Sequence, residues 1–144
     1  MYSDLSKYFA DVKDKNAHEV CEFIGGKVKQ NDFKNCCAVR MSYAFNKAGI
    51  KIPFTENKTV SGEGKKDWYI YRVKDFKAFL NSKNYKKYTT KQNSLDDFDN
   101  KTGVIVFDVD WEDATGHVDL FNGKSVEGSD YTSQSKSITL YEIN

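Results

Sequence analysis

Gly103-Val104-Ile105-Val106-Phe107 is a continuous apolar run opened by a glycine, and Gly116-His117-Val118-Asp119-Leu120-Phe121 follows it. Both read as strands. Alternation puts His117, Asp119 and Phe121 on one face of the second and Val118 and Leu120 on the other, because successive strand side chains point to opposite sides. Asn122-Gly123 is a hairpin turn signal, after which Ser125-Val126-Glu127 returns, and Ile138 to Ile143 supplies a last strand. Upstream the period is helical. Ser3 to about Val12 carries Leu5, Tyr8 and Phe9 on one side, and a second helix runs from about Asn16 to Ile24, ended by Gly25-Gly26. A third begins at Cys36 or Cys37, repeats Ala38, Met41, Ala44 and Phe45, and stops at Gly49. Val73, Phe76, Phe79 and Leu80 predict another, ending near Asn81-Ser82. Between these, Lys27 to Lys34 reads as a polar connector, and Thr55 to Lys66 as a loop forming a flap on the substrate side. Trp68 to Tyr71 reads as a short strand, and Lys83 to Asn100 as a polar stretch with one short element at Leu95 to Phe98. The change of period predicts an α+β fold: N-terminal helices packed on a C-terminal antiparallel sheet, one domain over residues 1–144.

Composition narrows the chemistry. The 144 residues hold 22 Lys+Arg against 21 Asp+Glu, a net charge of +1. That balance lacks the basic excess that nucleic acid or an anionic membrane selects, so neither is an expected partner. No stretch approaches the ~20 apolar residues of a membrane span, so no membrane insertion is expected. Met1-Tyr2-Ser3-Asp4-Leu5-Ser6-Lys7 has no basic start followed by an apolar run, which predicts a chain made in the cytoplasm without a signal peptide. The cysteines are Cys21, Cys36 and Cys37. An odd number with two adjacent is a poor disulfide framework, and no pair has zinc-site spacing, so no metal or cofactor is expected.

Asn35-Cys36-Cys37-Ala38-Val39-Arg40-Met41-Ser42 places a thiol at a helix start, where unpaired N–H groups and the helix dipole favour the thiolate. Cys36 and Cys37 share that argument, and spacing alone does not separate them. His117 lies on a later strand; the other histidine, His18, reads as a solvated helix-face residue. A thiol first and an imidazole much later is the order of papain-like hydrolases, with the histidine as general base. A third group should orient the imidazole, and Asp119, Glu127 and Asp130 are all within reach of a hairpin whose register the turn length sets. Asp108, Asp110, Glu112 and Asp113 read as a solvated acidic loop, and Ala114-Thr115-Gly116 as small residues that let another chain approach closely. Arg40 stands one turn after the thiols, facing the site or solvent. Trp68, Tyr69, Tyr71 and Trp111 read as core or groove wall.

Asn35-x-Cys37-Ala38-Val39-Arg40-Met41-Ser42, then Ala44-Phe45 and Gly49-Ile50-x-Ile52-Pro53, resembles the catalytic-cysteine segment of the type VI secretion amidase effectors, family four. Gly116-His117-x-x-Leu120-Phe121-Asn122-Gly123 is similar to that family's histidine segment. The resemblance implies a papain-like fold of the NlpC type and cleavage of the D-glutamate–meso-diaminopimelate bond in peptidoglycan stem peptides. It implies Cys37 as nucleophile, His117 as base and Glu127 as third residue, where the family has Asp about ten positions past the histidine; Asp119 and Asp130 stay open for that role. Arg40 and Trp68 are the substrate-binding candidates. The implied partners are the peptidoglycan substrate, a cognate immunity protein and the type VI secretion apparatus, with action in the periplasm of the target bacterium. The alternatives are a noncatalytic wall-binding or inhibitory module and a papain-like hydrolase of another amide.

Overall fold

Asn16 opens a helix by accepting from the Glu19 N–H while the Glu19 carboxylate accepts from the Asn16 N–H, both at 2.9 Å. This capping box satisfies two otherwise orphaned donors. Such local signals set the helical half of the computed structural model, which describes residues 1–111 and 116–144. Helix α1 (Tyr2–Phe9) turns Leu5 and Phe9 inward, and α2 (Ala17–Ile24) buries Val20, Cys21 and Ile24 before Gly25, at φ +77°, ends it. Helix α3 (Gly26–Asn31) occupies the stretch expected to be a connector. Its start is crowded: a Cβ on Gly26 would lie 2.1 Å from the Gly62 carbonyl oxygen. Helix α4 (Cys37–Lys47) is buried along most of its length.

Strands β1 (Thr59–Ser61) and β2 (Trp68–Ile70) form an antiparallel ribbon, with a 3-10 turn at Glu63–Lys65 between them. The expected flap over Thr55 to Lys66 is therefore part of a small sheet. Ser42 ties it to α4, accepting from the Ile70 N–H at 2.9 Å, and Asn46 donates to the Trp68 carbonyl at 2.8 Å. Helix α5 (Val73–Ser82) follows, then β3 (Lys86–Thr90), β4 (Thr102–Asp108), β5 (Gly116–Asn122) and β6 (Ser137–Glu142).

The four later strands form an antiparallel sheet in the order β3-β6-β4-β5. Val104, Val106, Val118, Leu120 and Tyr141 share one core with the helices, while Ile105, Phe107, Phe121, Ile138 and Leu140 form a second with Phe98 and Val109. The period-2 alternation expected for β5 thus sorts its residues between two buried layers. Helices packed on an antiparallel sheet are the expected α+β class. Gly103 lets β6 close on β4, since a Cβ there would stand 2.0 Å from the Tyr141 carbonyl oxygen. Among the described residues no helix is long and apolar enough to cross a membrane.

Candidate active site

Cys37 is the first residue of α4, and His117 is the second residue of β5. They line one cleft with Phe9, Lys13, Arg40, Asp119, Gly128 and Ser129. Asn35 prepares the helix start: its side-chain oxygen accepts from the Cys37 N–H at 3.3 Å. Cys36 turns away from the cleft. Its sulfur is buried against the carbonyls of Ala17 and Phe33, and burial, with Cys21 beside it, pushes its thiol up to about 12. Spacing left the two thiols equivalent; the backbone of a helix start separates them by sending neighbouring side chains in different directions.

His117 is held on two sides. Its Nε2 hydrogen-bonds the Asp119 carboxylate at 2.7 Å, so Nδ1 is the ring nitrogen that Asp119 leaves unoccupied. Phe107 stacks on the ring with centroids 6.1 Å apart, and Tyr131 meets it edge-on at 4.9 Å. Trp111 in turn packs against Tyr131. Burial disfavours the imidazolium, but the hydrogen bonds and charges of Asp119 and Cys37 outweigh it and raise His117 to about 9. The arrangement therefore favours a protonated imidazole beside the Cys37 side chain.

The carboxylate that takes the imidazole is that of Asp119, not Glu127. Asp119 is buried and accepts backbone N–H bonds from Leu120 (2.8 Å), Gly128 (2.9 Å) and Ser129 (2.9 Å) besides the imidazole. Glu127 points to the other side of its loop, where its carboxylate accepts from the hydroxyls of Tyr2 and, at 3.0 Å, Ser6 on α1. The reason is alternation. Glu127 donates its N–H to the Leu120 carbonyl as the chain runs back along β5, and its side chain falls on the face opposite His117. Asp130 is exposed and caps its own turn, accepting from the Thr132 N–H at 2.8 Å.

Arg40 lines the cleft, but two of its nitrogens are committed: Nε donates to the Val12 carbonyl (3.3 Å) and Nη2 to that of Lys15 (2.7 Å). It fastens the segment after α1 to α4. Trp68 does not line the cleft; it packs on Phe54 with ring centroids 4.8 Å apart. His18 is exposed on α2 and pairs with Asp32 at 3.0 Å. Asp108 and Asp110 lie within ion-pair distance of Lys136, at 3.9 and 2.8 Å. Glu112, Asp113, Ala114 and Thr115 lie outside the described residues. Phe9, Lys13, Gly128, Ser129 and Tyr131 were not among the expected site residues. Their signal is positional rather than chemical, since each reaches the site from a segment end or loop. Among the described residues no group of three or more His, Cys, Asp or Glu is placed to hold a metal ion.

The family profile described as type VI secretion system (T6SS), amidase effector protein 4 (Tae4), matches residues 33–141. Among solved structures, Tae4 from Enterobacter cloacae in complex with its immunity protein Tai4 is 32% identical, with a TM-score of 0.89, covering 99% of this chain and 98% of that one. Tae4 of the Tae4–Tai4 complex from Salmonella Typhimurium is 29% identical, with a TM-score of 0.89, over 99% and 97% of the two chains. The Tae4 effector from Enterobacter cloacae on its own is 32% identical, with a TM-score of 0.88, over 99% and 96%. No curated protein sequence matches.

Proposed function

The chain belongs to the type VI secretion amidase effector 4 family, and from that premise we propose that it cleaves the D-glutamate–meso-diaminopimelate bond of peptidoglycan stem peptides by Cys–His nucleophilic catalysis. The observation that carries the reading is the convergence of Cys37, His117 and the four-fold hydrogen-bonded Asp119 in one cleft. Residues 1–144 act as one catalytic domain, delivered by the type VI apparatus to the periplasm of a target bacterium. The producing cell holds an immunity protein against it, as the Tai4 complexes of the relatives suggest.

In this mechanism the Cys37 thiolate attacks the amide carbonyl while His117 holds the proton on Nδ1. The Cys37 N–H and a second donor receive the oxyanion. The Asn35 oxygen now on that N–H is 3.3 Å away, a long bond readily exchanged for a charged acceptor. His117 then protonates the amine of the departing diaminopimelate, and water, deprotonated by the same nitrogen, releases the acyl group from Cys37. Asp119 keeps Nε2 as a donor and the ring in plane, a positioning role. The stem peptide offers carboxylates next to this bond, because γ-linked D-glutamate keeps its α-carboxyl free. Lys13 and Arg40 give the cleft wall the matching positive charge.

Mass spectrometry of purified muropeptides after digestion tests the reading. Wild type should split the stem between D-glutamate and diaminopimelate, Cys37→Ala should not, and Cys36→Ala should retain most of the activity. Cleavage by Cys37→Ala equal to wild type, or fragments ending at another bond, would overturn it.

A further inference from the structure

Two thiols have no part in that mechanism. Cys21 on α2 and Cys36 at the cap of α4 are each 1% exposed, and their sulfurs touch at 3.7 Å. Both also lie against one acceptor, the Phe33 carbonyl, at 3.9 and 3.4 Å. Cys37 is kept apart from this pair, lining the cleft with His117. The fold thus sorts three cysteines into a contacting couple and one that faces substrate.

We propose that Cys21 and Cys36 are a disulfide site, reduced where the protein is made and joined once it meets an oxidising compartment, with Cys37 left as the free thiol. The geometry needs little change, since a disulfide of about 2.05 Å asks two touching sulfurs to rotate toward each other. Chemically, one thiolate attacks a disulfide oxidant such as glutathione disulfide, whose first thiol leaves. The second cysteine then attacks the mixed disulfide and expels the other thiol. Two S–H bonds and the oxidant's S–S bond break. The Sγ–Sγ bond forms, and two electrons and two protons end on the two released thiols. Because both sulfurs are buried, the exchange takes place as the chain folds or opens locally. The cross-link spans 15 positions and ties α2 to the residue before the nucleophile, so it anchors the start of α4 without touching the cleft. The site stands on its own geometry; only its setting, a compartment that oxidises thiols, rests on the proposed periplasmic action.

The test is to unfold the full chain, refold it in a reduced/oxidised glutathione buffer, alkylate the remaining thiols and map them by peptide mass spectrometry. The expected product carries a Cys21–Cys36 disulfide and an alkylated Cys37. Its melting temperature should lie about 10 °C above that of the same protein under reductant, by the loop-closure entropy of a short cross-linked loop. Cys21→Ser and Cys21→Ala should show no redox-dependent shift and should still digest muropeptides. Three alkylated cysteines after redox refolding, or a disulfide that includes Cys37, would overturn the proposal. Muropeptide digestion is scored separately: an oxidised protein with the mapped bond but no activity removes the proposed function and leaves the disulfide.

Discussion

At Asp119 three backbone N–H groups and an imidazole converge on one buried carboxylate. A carboxylate so held is fixed in position, and it holds His117 in turn. Asp119→Asn presents an amide N–H to donors that need an acceptor, so it both misorients the ring and leaves a buried group unsatisfied. Muropeptide turnover should fall by about 10²- to 10⁴-fold, and urea unfolding should show a loss of about 1–3 kcal/mol. Glu127→Gln, on the far side of the loop, should keep most turnover and lose stability through its contacts with Tyr2 and Ser6. Equal kinetic damage from both would return the third role to Glu127. His117 adds a pH signature. Its folded value, raised from 6.5 to about 9 despite burial, contributes stability that is complete below about pH 6.5 and is lost as pH rises through about 9. Between those limits the unfolding free energy of wild type should decline by up to about 3 kcal/mol relative to His117→Gln. Denaturant titrations at pH 6, 7.5 and 9 measure it; parallel pH curves for the two proteins would refute the coupling of His117 to Asp119 and Cys37.

The loop after β5 shows why some of this site was readable in the sequence and some was not. A thiol at a helix start and a histidine on an alternating strand are side-chain patterns that period makes legible, although period does not choose Cys37 over Cys36. That His117 and Asp119 share a face follows from the same alternation. What selects Asp119 is the pair of N–H groups of Gly128 and Ser129, and backbone donors leave no mark in residue type. Besides β1 in the expected flap, two elements lie in stretches that read as polar connector, for related reasons. Helix α3 begins with glycine and buries only Val28, so its period is too weak to see. Strand β3, Lys-Lys-Tyr-Thr-Thr, is an edge strand whose lysines read as polar loop but suit an edge that must resist pairing with other chains. The loop itself carries a prediction. A Cβ on Gly128 would lie 2.4 Å from Asp119 Oδ2, an oxygen held in place by two hydrogen bonds, to His117 Nε2 and from the Ser129 N–H. Gly128→Ala should therefore displace the carboxylate or the loop and cut turnover at least ~10-fold, with a thermal shift of only a few degrees, since the contact is local. Unchanged turnover would mean that the loop backbone does not position Asp119.

At the scale of the whole molecule the two ends of the chain meet. The Tyr2 N–H donates to the Asn144 carbonyl at 3.0 Å, and the Ile143 N–H donates to Thr102 at 2.8 Å, so α1 is docked beside the last strand. Glu127 adds a further fastening to the same helix. Helix α1 matters to the site because Phe9, at its end, and Lys13, just beyond it, form one wall of the cleft. Connectivity and contact can be separated here. Joining Asn144 to Met1 through a short glycine linker and opening the chain between the exposed residues Lys91 and Gln92 retains every element and every pairing of the sheet. Chains with neighbouring termini tolerate such permutation when the new break falls in exposed loop. The permutant should fold with a melting temperature within about 5 °C of the parent and digest muropeptides at a comparable rate. Removing residues 1–9 instead takes away Leu5 and Phe9 and exposes the core beneath them, and should abolish digestion together with cooperative melting. A permutant that folds but does not digest would show that the cleft depends on the original chain ends, and not on α1 being packed against α4 and the final strand.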